Sequence, residues 1–157
     1  MPNVPPQLQL TLEVHAEVGE PIELGEVAGQ RRRMVPIIGG AFEGHGALTI
    51  RGRVCPGGAD WQLIHPDGLT EADARYILET DGGQTIAVRN RGLRHASPDV
   101  MQRLLSGELV DPSLVYFKST PVFETAAPEL QLLVRSTFVG VGERYPREVV
   151  VRFWRVD

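Results

Sequence analysis

Two kinds of group stand out as able to move a proton: the carboxyls of Asp60 and Glu124, and the phenols of Tyr76 and Tyr116. Asp60 follows Gly57-Gly58-Ala59 and precedes Trp61, and Glu124 closes the segment Pro121-Val122-Phe123. A carboxyl buried beside aromatic rings loses hydration, so its pKa rises and it stays partly protonated near neutrality. Such a group can give a proton to a carbonyl-type ligand or take one from it. Asp60 would act as acid or base, Glu124 as the second carboxyl, and Tyr76 and Tyr116 as hydrogen-bond donors. Trp61, Phe42 and Phe123 would form the walls, and His45, inside a glycine-rich run, would have a pocket role. Small-molecule sites have this inventory, a largely apolar lining with a few convergent polar groups.

Each residue also has a plainer reading. The glycines of Gly39 to Gly46 and Gly57-Gly58 would make turns or bulges. Adjacent strand residues face opposite ways, so Asp60 and Trp61 line one pocket only if pairing breaks between them. Tyr76 would then be a core tyrosine with a hydrogen-bonded hydroxyl. Tyr116, Phe123 and Glu124, around Thr120-Pro121, would form a loop over a barrel mouth or a satellite hydrophobic contact.

Other chemistries lack their residues. No Gly-Lys-Ser/Thr follows the glycines, so they are no phosphate loop. No Gly-x-Ser-x-Gly elbow anchors a hydrolase triad. The four histidines, His15, His45, His65 and His95, have no metal-ligand spacing, and neither metal nor cofactor is expected. Cys55, the single cysteine, excludes an internal disulfide and fits a reducing compartment. A net charge of −4 argues against a nucleic-acid coat. Arg31-Arg32-Arg33 and the basic run Arg89 to Arg94 lack interleaved aromatics and read as a solvated face or as partners for the abundant Glu and Asp. The first nine residues do not have the pattern of a signal peptide, and no apolar run reaches the ~18 residues of a membrane span. The expected location is the cytoplasm.

The elements that would position these residues are mostly strands. Gln7 to Val18 alternates Leu8, Leu10, Leu12, Val14, Ala16 and Val18 with polar residues, a period-two strand with one buried face. Further strands are expected over Arg31–Ile38, Ala47–Val54, Ala59–His65, Ala74–Thr80, Thr85–Arg91, Val115–Ser119, Leu130–Val141 and Arg147–Val156. Asp81-Gly82-Gly83 marks a hairpin. Tyr76 shares its face with Ala74 and Leu78 and is expected inward. One helix is signalled: Ser97 as cap, Pro98 at its first position, Val100, Met101, Leu104 and Leu105 as the apolar stripe, and Gly107 as its end. At 157 residues the chain makes one domain, 1–157, an all-β small antiparallel barrel with one short helix.

Several motifs carry a family resemblance. Ile38-Gly39-Gly40-x-Phe42-Glu43-Gly44, Gly52-x-Val54, Gly57-Gly58-Ala59-Asp60-Trp61, Ala74-Arg75-Tyr76 and Thr80-Asp81-Gly82 come first. Tyr116-Phe117, Pro121-x-Phe123-Glu124 and Phe138-Val139-Gly140-x-Gly142 follow. In order and spacing they resemble the bacterial family catalogued as domain of unknown function 3237. The resemblance implies a small antiparallel barrel of allene-oxide-cyclase, dirigent or lipocalin type, and it brings no established reaction. The helical segment at Val100–Leu105 and the pair Val134-Arg135 depart from the family pattern.

The leading functional expectation is a small-molecule site in the barrel mouth, serving acid–base isomerisation or cyclisation. A non-catalytic ligand binder and an oligomeric assembly protein are the alternatives. The expected partner is an unknown small molecule, with no nucleic acid and no membrane, and the alternating strands predict edge-protected association as a homodimer. A ligand site would show an enclosed pocket of roughly 300 Å³ or more around Asp60.

Overall fold

Alternation of apolar and polar residues does close into a barrel. The computed structural model describes residues 3–157. Strand β1 (Leu8–Val18) buries Leu12, Val14, Ala16 and Val18, and it pairs antiparallel with β10 (Glu148–Val156) on one side and β3 (Gln30–Gly44) on the other. From β10 the sheet runs through β9 (Phe138–Arg144), β8 (Tyr116–Glu124), β7 (Thr85–His95) and β6 (Thr70–Thr80). The gap between β6 and β3 is filled end to end by β4 (Arg51–Val54) and β5 (Gly58–Ile64). Strand β2 (Ile22–Val27) continues the line of β1 along β3. Eight positions around the barrel thus hold ten strands, and the side chains alternate inward and outward.

Strand β3 has to bend, and its glycines allow it. Arg33, Val35 and Ile37 are buried at odd positions, whereas Phe42 is buried at an even one. The register against β1 slips between Glu17 and Val18, where Glu17 faces Gly39 but Val18 faces Ile37. Gly40 takes φ +127, and a Cβ there would lie 2.0 Å from the His15 carbonyl oxygen. A bulge of this kind adds one residue and exchanges the strand's faces.

The barrel has two unlike ends. At one, Phe123 meets Phe138 and Phe153 edge-on, with centroids 5.2 and 5.4 Å apart. Leu12, Phe42, Leu78 and Ile86 pack around them, and Leu130 and Leu133 close this end. At the other lies helix α1 (Pro98–Leu105), built as its residues predict. The Ser97 hydroxyl accepts the Val100 N–H, Pro98 opens the first turn, and Met101 and Leu104 are buried together with Val110.

Two expectations need correction, and one strand is additional to those expected. Residues 130–136 are not a strand: Pro128–Leu130 form a 3₁₀ turn and Gln131–Arg135 a short helix, α2, so β9 begins only at Phe138. Leu130 and Leu133 are both buried at a spacing of three, which a helical turn satisfies and a strand cannot. Thr120-Pro121 is not a loop over the mouth but lies within β8. Strand β8 pairs with β9 only at Lys118 and Ser119, so Pro121 needs no N–H on that side. Strand β2 was not foreseen, and all six of its residues are exposed. Among the described residues no helix is long and apolar enough to cross a membrane.

Candidate functional site

The end of the barrel near α1 is not packed solid. Inward positions on β6 and β7 carry Ala72, Ala74 and Gly92, which are too small to reach the axis, and an internal cavity of about 50 Å³ remains. Its polar lining comes from successive inward positions: Asp60 and Gln62 on β5, Tyr76 on β6, Asn90 and Arg94 on β7, Ser119 on β8 and Arg144 on β9. Asp60 and Ala74 keep some accessible surface although they point inward, because that surface faces the cavity. Just outside, a groove of about 640 Å³ runs between α1 and the β1–β2 and β9–β10 turns. Val18 and Arg144 line both spaces.

Asp60 is fixed by two hydrogen bonds. Its Oδ2 accepts from Gln62 Nε2 at 2.8 Å and its Oδ1 from the Asp73 N–H at 3.1 Å. Gln62 Oε1 in turn accepts from Arg33 Nε at 2.8 Å, and Arg33 Nη1 donates to the Leu105 carbonyl at 3.4 Å. Removal from water pushes the Asp60 carboxyl above the ordinary carboxylate range, against the pull of Gln62, Arg94, the Asp73 N–H and Arg33. Burial likewise raises the Tyr76 phenol, with the Asp60 charge adding to it, so Tyr76 stays a protonated donor. The guanidinium of Arg94 is pulled down to about 10 by burial and that of Arg144 is lowered for the same reason. Both remain cations at neutral pH.

Those cations are poorly matched. Arg94 is 2% exposed and sits 5.7 Å from the Phe117 ring centroid, yet its Nε and Nη2 have no hydrogen-bond acceptor among the described residues. Arg144 Nη1, Asn90 Oδ1 and Ser119 Oγ are buried and unpartnered too.

Of the residues singled out from sequence, Asp60 and Tyr76 meet at the cavity. The others lie elsewhere. Trp61 is 52% exposed and points outward, because β5 pairs regularly with β6 from Ala59 to Ile64 and neighbours must alternate. The break falls upstream, at Cys55-Pro56-Gly57 between β4 and β5. Tyr116 is 47% exposed and stacks on His95 at 4.7 Å outside the barrel. Glu124 is exposed at the end of β8. Phe42 and Phe123 are core residues of the packed end, not cavity walls. His45 lies outside, with Nε2 3.7 Å from Glu13 and 3.5 Å from Glu43. Glu13, Glu43 and His45 are the described residues whose ligand atoms come close enough to hold a metal ion, within 4.8 Å of one another. Arg152 Nε, 3.5 Å from Glu13 Oε2, competes for that carboxylate.

Sequence reasoning missed Arg33, Arg94, Arg144, Asn90 and Gln62. Of these, Arg94 was the most readable. It shares a period-two face with Ile86, Val88 and Asn90, whereas Arg89 and Arg91 face out. The expected pocket of 300 Å³ is also corrected: the enclosed part is much smaller, and most of the open volume lies in the groove.

Comparison with known proteins agrees with this architecture. Residues 6–156 match the family described as "Protein of unknown function (DUF3237)". A UPF0311 protein of Rhodopseudomonas palustris strain TIE-1 is 41% identical over 138 residues, 88% of each chain. The crystal structure of a conserved protein of unknown function from Rhodopseudomonas palustris superposes with a TM-score of 0.93 at 36% identity, covering 99% of this chain and 100% of that one. An enzyme from Penicillium herquei shares the fold at a TM-score of 0.72 and 18% identity, over 100% of this chain and 98% of that one.

Proposed function

This chain belongs to the DUF3237 family of proteins of unknown function, and on that premise we propose that its barrel interior binds a small carbonyl compound on which Asp60 moves a proton. One observation carries the reading: Asp60 is an inward carboxyl on the cavity, and burial raises its pKa. A carboxylate short of solvation is a stronger base than one in water, and its acid form persists closer to neutrality.

The chemistry needs no co-reactant. The Asp60 carboxylate takes a proton from the carbon beside the carbonyl. The C–H electron pair becomes the enolate double bond, and the carbonyl π pair moves to oxygen. The Tyr76 hydroxyl, kept protonated by its own burial, donates to that oxygen. In a β,γ-unsaturated carbonyl ligand Asp60 then returns the proton to the γ-carbon. The oxygen pair re-forms the carbonyl, the enolate pair shifts to the bond between the α- and β-carbons, and the old double-bond pair takes the proton, so the double bond has moved into conjugation. With Glu124 outside, one carboxyl both removes and restores the proton, which suits isomerisation better than a relay between two carboxyls. The reacting carbons and their nearest substituents would occupy the cavity, and any longer chain would extend into the groove beside α1.

Exchange of carbon-bound hydrogen in D₂O tests this without knowledge of the natural substrate. With levulinate and 2-pentanone as probes, the wild-type protein should speed loss of the α-proton signals in ¹H NMR over buffer. Asp60→Asn should lose roughly 10²-fold or more of that acceleration, the usual size of a general-base effect. Wild-type rates no faster than Asp60→Asn on both ketones would remove the reading.

A further inference from the structure

We propose that the ligand is a small organic acid whose carboxylate is held inside the barrel by Arg94 and Arg144. The inference rests on the interior being the ligand site and adds the class of molecule it takes. It starts from an imbalance of charge. Arg33, Arg94 and Arg144 point to the interior or its mouth, against the single inward carboxyl of Asp60. Among the described residues no ion pair joins Asp60 to any of them, and its oxygens already accept from Gln62 and the Asp73 N–H.

The three arginines are not equivalent. Arg33 is accounted for: it donates to Gln62 and to the Leu105 carbonyl at the last turn of α1, where a cation opposes the helix dipole. Arg94 and Arg144 line the cavity with nitrogens that meet no acceptor. The Asp60 charge offsets part of this through space, but it gives these nitrogens no hydrogen bond, and a buried cation with unmet donors is costly to a fold. Water would complete the hydrogen bonds but leave the charge. A carboxylate supplies both, because its two oxygens match the fork of a guanidinium. The other unpartnered groups fit the same guest: Ser119 Oγ can donate to a carboxylate oxygen, and Asn90 Oδ1 can accept from a hydroxyl or amide N–H. Space agrees as well. About 50 Å³ admits a carboxylate and a few carbons, while a longer acid extends past Arg144 into the groove.

Calorimetric titration at constant ionic strength with butyrate, its neutral isostere butyramide and inorganic phosphate tests the assignment. Butyrate should bind at least ten-fold more tightly than butyramide or phosphate and raise the melting temperature. Arg94→Met should lose that preference while melting no lower than wild type without ligand, because it removes an unpaired buried cation. Should Arg94→Met fail to fold, Arg144→Met must show the same loss. Equal binding of butyramide, tighter binding of phosphate, or undiminished butyrate binding by the folded methionine variant would each overturn the inference. Asp60→Asn separates it from the acid–base reading: this variant should bind butyrate at least as tightly as wild type and yet lose proton exchange. Butyrate binding without exchange on either ketone leaves the carboxylate inference standing and ends the catalytic one. Exchange on 2-pentanone without butyrate binding does the reverse.

Discussion

Asp60 ties the site to the stability of the whole chain. In the unfolded chain its carboxyl titrates near the ordinary value of 3.8, while in the barrel burial holds it higher. Below the unfolded value both states are protonated and the stabilising contribution of the buried acid is complete. As pH rises the unfolded chain ionises first, so the equilibrium moves toward unfolding until the native carboxyl has ionised too. Each unit between the two values removes about 1.4 kcal/mol. Asp60→Asn cannot ionise, and all other carboxyls are common to both proteins. The melting temperature of wild type minus that of Asp60→Asn should therefore be greatest at or below about pH 4, fall as pH rises above the unfolded value, and level off once the native carboxyl has ionised. A difference that stays flat or grows with pH would mean that the carboxyl is solvated in the native barrel.

At the scale of elements, β9 shows how a strand makes room for a site. Its inward face reads Phe138, Gly140, Gly142, Arg144: one large ring, two absences and one cation. A Cβ on Gly142 would lie 2.7–2.9 Å from three atoms of the Phe117 ring, and one on Gly140 would lie 2.1 Å from Ser119 Oγ. Gly142→Ala should cost about 1–3 kcal/mol, the usual penalty of overpacking, read as a lower midpoint in urea. An unchanged midpoint would show that Phe117 has freedom to move. Elements also decide what could be read from sequence. Tyr76 was legible as inward because β6 has a wet face and a dry face, and α1 because cap, proline and stripe agree. Trp61 misled because the glycines before it mark the start of β5 rather than a break inside it. Arg94 was passed over because charge was weighed above period, although the period of β7 is regular. Strand β2 had only a weak signal: Ile22 and Leu24 alternate with Glu23, but the register breaks between Glu23 and Gly25 and every residue is exposed, so the pattern is too short to stand out. The cavity was the least legible part, because unpartnered guanidiniums become visible only when five strands are brought together.

Taken whole, the barrel divides its labour along its axis. The aromatic end under α2 is filled with side chains and supplies stability, whereas the end under α1 keeps a small polar cavity that costs stability. Leu133 belongs to the first end: it is 1% exposed, packs in the main core and does not line the cavity. Leu133→Ala removes most of a buried side chain and should cost about 2–5 kcal/mol. For a domain of this size that lowers the melting temperature by roughly 4–20 °C. Butyrate affinity, measured well below the new transition, should change less than about three-fold, because distant sites act nearly independently. The methionine variant of Arg94 should behave in the opposite way, losing affinity and keeping stability. If Leu133→Ala instead abolished binding while the barrel remained folded, filling of the packed end would be what holds Arg94 and Arg144 apart. The cavity would then belong to the core rather than stand beside it.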